Sequence, residues 1–192
     1  MATTPVSICN MALSEFGQTT IQSLDDTSAQ ARACKLRYEP CRDELLQLHP
    51  WNFAMGFKAL SLLGEEGDPD GPPFLYAYAY QKPVDCLAPL QLEEKEDKWE
   101  QTEDKIYTDT EEAMLKYTKR ITDASRFPPL FSRALALYLA SRLCVPLTAD
   151  QSKASQLKGE FATALDHARA ADEREGNPKA DDPEDTFISA RG

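Results

Sequence analysis

Residues 25–50 read DDTSAQARACKLRYEPCRDELLQLHP, and this stretch decides the fold class. Asp25, Asp26, Thr27 and Ser28 supply capping oxygens and negative charge where a helix begins. Ala31, Cys34, Tyr38, Cys41, Leu45 and Leu48 then recur at steps of three, four, three, four and three. That spacing places them on one continuous apolar stripe of a long amphipathic helix. Pro40 lies inside the stripe and predicts a kink. Pro50 closes it, because a proline disfavours helical geometry in the residue before it, His49.

Working outward, three further helices follow from the same reasoning. Thr4 caps and Pro5 opens the first, with Val6, Cys9, Leu13 and Phe16 on its apolar face and Gly17 as its stop. Pro128 and Pro129 start the third, which carries Leu130, Ala134, Leu137, Ser141 and Cys144, widened by Phe131, Leu135 and Tyr138; Pro146 is expected to end it. Thr148-Ala149-Asp150 then caps a last helix through Ala154, Leu157, Phe161, Ala164 or Leu165, and Ala168. Between the helical halves, residues 51–122 have another texture. Short aromatic and β-branched runs (Trp51 to Phe57, Leu75 to Tyr80, Lys105 to Thr108, Met114 to Ile121) alternate with turn-rich pieces. Tyr76, Tyr78 and Tyr80 occupy every second position, the period of a strand. Gly64 to Pro73 is expected as a loop, and Pro83 to Leu87 as a helical turn or bend.

The resulting expectation is a mainly α protein: a bundle of about four helices with a small inserted antiparallel β region and an extended C-terminal tail. Residues 1–50 and 123–176 form the bundle, 51–122 the insertion and 177–192 the tail. The tail is polar, holds Pro183, and has Phe187 and Ile188 as its large apolar residues. Such a segment is expected to order only on assembly.

A formal net charge of −11 argues against a protein that grips nucleic acid through clustered phosphate contacts. No basic, apolar secretory segment opens the chain, and no apolar run is read as reaching the ~20 residues that span a bilayer. A soluble protein made in the cytoplasm is expected. Cys9, Cys34, Cys41, Cys86 and Cys144 are odd in number and include no C-x-x-C pair. They read as free buried thiols of a reducing compartment.

Chemistry is sparse. His49 at a helix end reads as a structural residue beside the last carbonyls, and His167 beside Asp166 as a solvated one. The two histidines and scattered cysteines lack zinc-ligand spacing, and no phosphate loop, nucleophile elbow or H-E-x-x-H occurs. Asp43 and Glu44 are neighbours rather than a facing pair, with Arg42 or Arg37 as the expected partner. No catalytic, cofactor-binding or metal residue is assigned, and no cofactor is expected. The run from Glu93 to Glu112 is the densest acidic segment. It reads as a solvated face or, more sharply, as a lining of Glu93, Glu94, Glu96 and Asp97 along which DNA passes without adsorbing.

Four stretches resemble the tail tubular protein A, or head-completion adaptor, family of short-tailed phages. The first is Ile8-Cys9-Asn10-Met11-Ala12-Leu13-Ser14-Glu15-Phe16-Gly17 with Ile21 to Asp26. The second is Tyr38-Glu39-Pro40-Cys41-Arg42-Asp43-Glu44-Leu45-Leu46 running into His49-Pro50-Trp51-Asn52-Phe53-Ala54. The third is Tyr78 to Leu87, and the fourth Phe127-Pro128-Pro129-Leu130-Phe131 leading to Leu139 to Leu143 and Pro146-Leu147-Thr148. They run in the family's order through most of residues 5–175; the acidic segment and the tail match less well. The resemblance implies a non-enzymatic virion protein of the head-tail connector: a homo-oligomeric ring, typically a dodecamer, bound to the portal protein above and the nozzle protein below. Double-stranded DNA would pass through the ring during retention and ejection without specific binding, and no membrane is involved. Its motifs are structural, so Trp51, Phe53 and Tyr80 are expected in packing.

On this reading Phe187, Ile188 and Arg191 make the docking contact to the portal or to a neighbouring subunit. The rival readings are a bacterial or prophage helical interaction module without a channel, and a tail-associated cell-wall hydrolase working through acidic residues.

Overall fold

The computed structural model describes residues 3–73, 75–93 and 98–176. It is an α+β fold, which corrects the expected mainly α bundle with a small β insertion. Of the described residues 48% are helical, and 20% lie in strands of two antiparallel sheets. The helices are α1 (Pro5–Ser14), α2 (Ala29–Gln47), α3 (Pro129–Thr148) and α4 (Gln151–Gly176). The strands are β1 (Met55–Ala59), β2 (Ser61–Glu65), β3 (Tyr78–Gln81), β4 (Cys86–Leu92), β5 (Trp99–Gln101), β6 (Lys105–Thr108) and β7 (Met114–Lys119).

Local chemistry sets the helix ends. Thr4 Oγ1 accepts from the Ser7 amide and Ser7 Oγ accepts from the Thr4 amide, a reciprocal capping box ahead of Pro5. Gly17 sits at φ 70°, the left-handed conformation that lets the Gln18 amide return to the Leu13 carbonyl. Ser28 caps α2 through the Ala31 amide, and the helix continues through Pro40. α3 runs two residues past Pro146, which sequence reading had taken as its end. The extra turn holds because Thr148 Oγ1 donates to the Cys144 carbonyl and the Ala149 amide, at φ 59°, to that of Val145.

α3 is the centre of the helical body and packs on α1, α2 and α4. Its buried side chains include Phe131, Leu135, Leu139 and Leu143 and point to several sides. By length and composition it is also apolar enough to cross a membrane, contrary to the expectation that no segment is. Here those apolar faces are taken up by the three neighbouring helices. Each buried Leu contributes roughly 1.5–3 kcal/mol relative to exposure.

In the β module, one sheet has the order β1-β7-β4 and the other β2-β3-β6-β5. Tyr80, Cys86, Leu92, Ile106, Ala113, Leu115 and Tyr117, drawn from both sheets and the turn before β7, form a second, smaller core. Three strands escaped the sequence reading for physical reasons. β2 is an exposed edge strand with a bulge between Leu62 and Gly64, so no alternation marks it. It takes in Gly64 and Glu65, expected as loop; a side chain at Gly71 would run into the Glu65 carbonyl, which keeps the following turn tight. β4 contains Pro89 and two bulges, tolerated because it is the outer strand of its sheet. The bend at Pro83–Asp85 ends at once in this strand, where the Cys86 amide meets the Pro83 carbonyl. β5 has three residues, too few to show a period.

Candidate functional site

No group of three His, Cys, Asp or Glu side chains able to hold a metal ion occurs among the described residues. All five cysteines are buried and free. Burial pushes the Cys41 and Cys86 thiols up to about 11, and Cys9 is raised by its hydrogen bond to Cys34 together with burial. Such thiols are packing groups, since the thiolate is the reactive form. His167 is exposed in a shallow cleft with Arg133, Glu160 and Thr163. His49 does not serve the carbonyls that end α2. Its Nε2 lies 3.2 Å from Asp172 Oδ2 on α4, and its ring stands edge-on to Trp51 at 4.8 Å.

The motif residues build joints. Asn10 clasps the connector after α1: its Nδ2 donates to the Ile21 carbonyl at 2.9 Å and its Oδ1 accepts the Ile21 amide at 2.8 Å. Trp51 is 1% exposed and donates from Nε1 to the Leu45 carbonyl, fixing the turn out of α2. Phe53 is partly buried beside Phe127 and Phe131, and Tyr80 is buried in the β core. Asp43 joins α2 to the β module, accepting Arg42 Nε at 2.8 Å on one oxygen and Arg120 Nε at 2.9 Å on the other. Glu44 is engaged by the Tyr138 hydroxyl and Arg142 instead. Asp85, in the bend before β4, accepts from the Tyr117 hydroxyl and pairs with Lys119.

The docking residues Phe187, Ile188 and Arg191 lie outside the described residues, as do Glu94, Glu96 and Asp97 of the acidic lining. Glu93 is described. It is exposed at the end of β4, in a shallow cleft with Phe57, Gln91, Leu92, Met114 and Lys116.

Two surfaces stand out that sequence reading did not single out. Among the described residues the β module exposes Phe57 (67%), Leu62 (50%), Leu63, Leu75 (61%), Val84 (94%) and Met114, and the helical body Leu36 (71%), Leu48, Leu130 and Val145. Edge strands and strand ends put those of the β module outside either core; apolar residues off the alternating pattern were the available signal. The second surface is a cleft of about 430 Å³ at the start of α1 and the outer side of α2, lined by Pro5, Leu24, Lys35, Tyr38, Arg42 and Thr122, with Asp25 and Glu39 at its rim. Tyr38 and Arg42 stand one turn apart on the same helix face, and each is 3% exposed. Their four-residue spacing is in the sequence; their burial is not, because α1 and residue 122 that cover them come from distant parts of the chain. Comparison of the chain with protein-family models and with curated proteins finds no match.

Proposed function

We propose that this chain is a structural adaptor of a short-tailed phage, a ring subunit between the portal and the tail nozzle that extends the channel for DNA. The observation that carries the reading is the exposed apolar pair Phe57 and Met114, which share one cleft of the β module. A surface of that kind marks a protein contact, and in a ring subunit it would meet a neighbour or the next tail component. Two other features support it. The stretches that resemble the adaptor family supply joints and caps, in keeping with motifs of structural rather than chemical purpose. The helical body and the β module each have a core yet are tied by Asp43, so a subunit can pass contact at one end to the other. With a net charge of −11, the DNA that passes would be repelled rather than bound.

The deciding experiment is the mass of the purified chain in solution, alone and with the portal protein of the same phage. The adaptor reading expects a monomer that becomes a ring on the portal. A chain that remains monomeric beside the portal would overturn it in favour of a helical interaction module.

A further inference from the structure

We propose that the cleft between the start of α1 and the outer side of α2 is a binding site for a small oxyanion, a phosphate or carboxylate group. The proposal rests on a buried hydroxyl without a partner and on a buried arginine that lines the same cleft. The Tyr38 hydroxyl is buried and has no hydrogen-bond partner among the described residues. Arg42 makes one side-chain hydrogen bond there, from Nε to Asp43 at 2.8 Å. Its Nη1 reaches only Glu39, at 3.8 Å, beyond hydrogen-bond range. Burial without a partner is costly for the phenol, and a fold keeps such a group where something answers it.

What would answer the two groups follows from their chemistry. The free tip of a guanidinium presents parallel N–H donors, and a phenol adds an O–H beside it. Together they match the two or three acceptor oxygens of a carboxylate or phosphate. Lys35 stands at the mouth, three residues before Tyr38 on the same helix, with a side chain 64% exposed. The acidic groups at the rim do not close the site. Asp25 is held by Lys35 at 2.7 Å, and the Glu39 side chain is 73% exposed and free to turn to water. Pro5 and Leu24 furnish apolar wall and Thr122 a hydroxyl. The site does not depend on the adaptor reading.

The test is calorimetric titration of the full chain with sodium phosphate and with sodium acetate, against sodium chloride at equal ionic strength. A saturable response to phosphate or to acetate is expected, and the stronger of the two identifies the oxyanion. Tyr38→Phe is the decisive variant because it removes a hydroxyl that has no partner. Its unliganded melting temperature should be unchanged or higher, while its oxyanion affinity falls about tenfold. Arg42→Lys keeps the charge but loses the planar fork, and should bind more weakly still. Responses no different from chloride would overturn the proposal. So would a Tyr38→Phe chain that binds as tightly as the parent.

Discussion

Asp172, near the end of α4, closes on Asn52, the first residue of the 3-10 turn that follows α2. Both carboxylate oxygens accept the Asn52 amide, at 3.0 and 3.2 Å, and Asn52 Nδ2 donates back to the Asp172 carbonyl. His49 completes the cluster. Asp172 is buried, so its loss takes the partner from a part-buried amide and from a ring nitrogen together. Asp172→Ala should cost about 2–3 kcal/mol of stability, read from urea denaturation. Asp172→Asn, which keeps the shape, should cost less. Equal losses would mean that packing rather than hydrogen bonding holds the end of α4.

Alkali should unfold the protein earlier than its surface tyrosines would require. Burial pushes Tyr38 from 10.0 to about 12, and burial with the Asp85 hydrogen bond does the same for Tyr117. The folded values lie above the unfolded one, so the neutral phenols hold full stability below pH 10. Stability is lost as pH rises from about 10 towards 12, because the unfolded chain gives up these protons first. Denaturation midpoints at steps across that window should fall steeply. Tyr38→Phe should flatten the fall; an unchanged slope would remove Tyr38 from the account.

The thiols should be silent in the native state. All five are buried; Cys9, Cys41 and Cys86 are raised, while Cys34, lowered by its hydrogen bond with Cys9, is shielded by complete burial. Iodoacetamide at pH 8 should leave the folded chain unmodified over minutes and add five groups after unfolding in urea, counted by mass. Rapid labelling of the folded chain would show that the helical body opens readily.

The apolar face of the β module should matter for assembly and not for folding. Phe57 is 67% exposed and Met114 40%. Phe57→Asp and Met114→Lys should change stability by no more than about 0.5 kcal/mol. Each should reduce or abolish ring formation on the portal in the same solution-mass experiment. Variants that assemble normally would move the contact elsewhere.

The helices were legible because each carries its signal locally: the Cys34–Tyr38–Cys41–Leu45 stripe, the Ser28 cap, the prolines before α3. The strands were legible where aromatic and β-branched runs mark them, as in β3 and β7. At β2, β4 and β5, edge position, bulges and Pro89 remove the period, and so the class was read as mainly α. Pro146 misled because a side-chain hydroxyl from Thr148 and a left-handed Ala149 extend the helix past it, a compensation that no propensity contains. The sites were less legible still. Asp172 meets partners 120 residues away, and the burial of Arg42 depends on α1 and the connector folding over it. A pattern reading sees an ordinary exposed arginine there.

β1 and β7, the strands by which the chain enters and leaves the β module, are paired antiparallel, with Met55 opposite Thr118. The module thus hangs from the helical body by two adjacent threads, like a cassette in a slot. Because the cost of closing a loop grows only slowly with its length, that slot tolerates inserts of very different size. Lineages could trade one cassette for another, altering what the subunit touches while leaving the helices that hold it as they are.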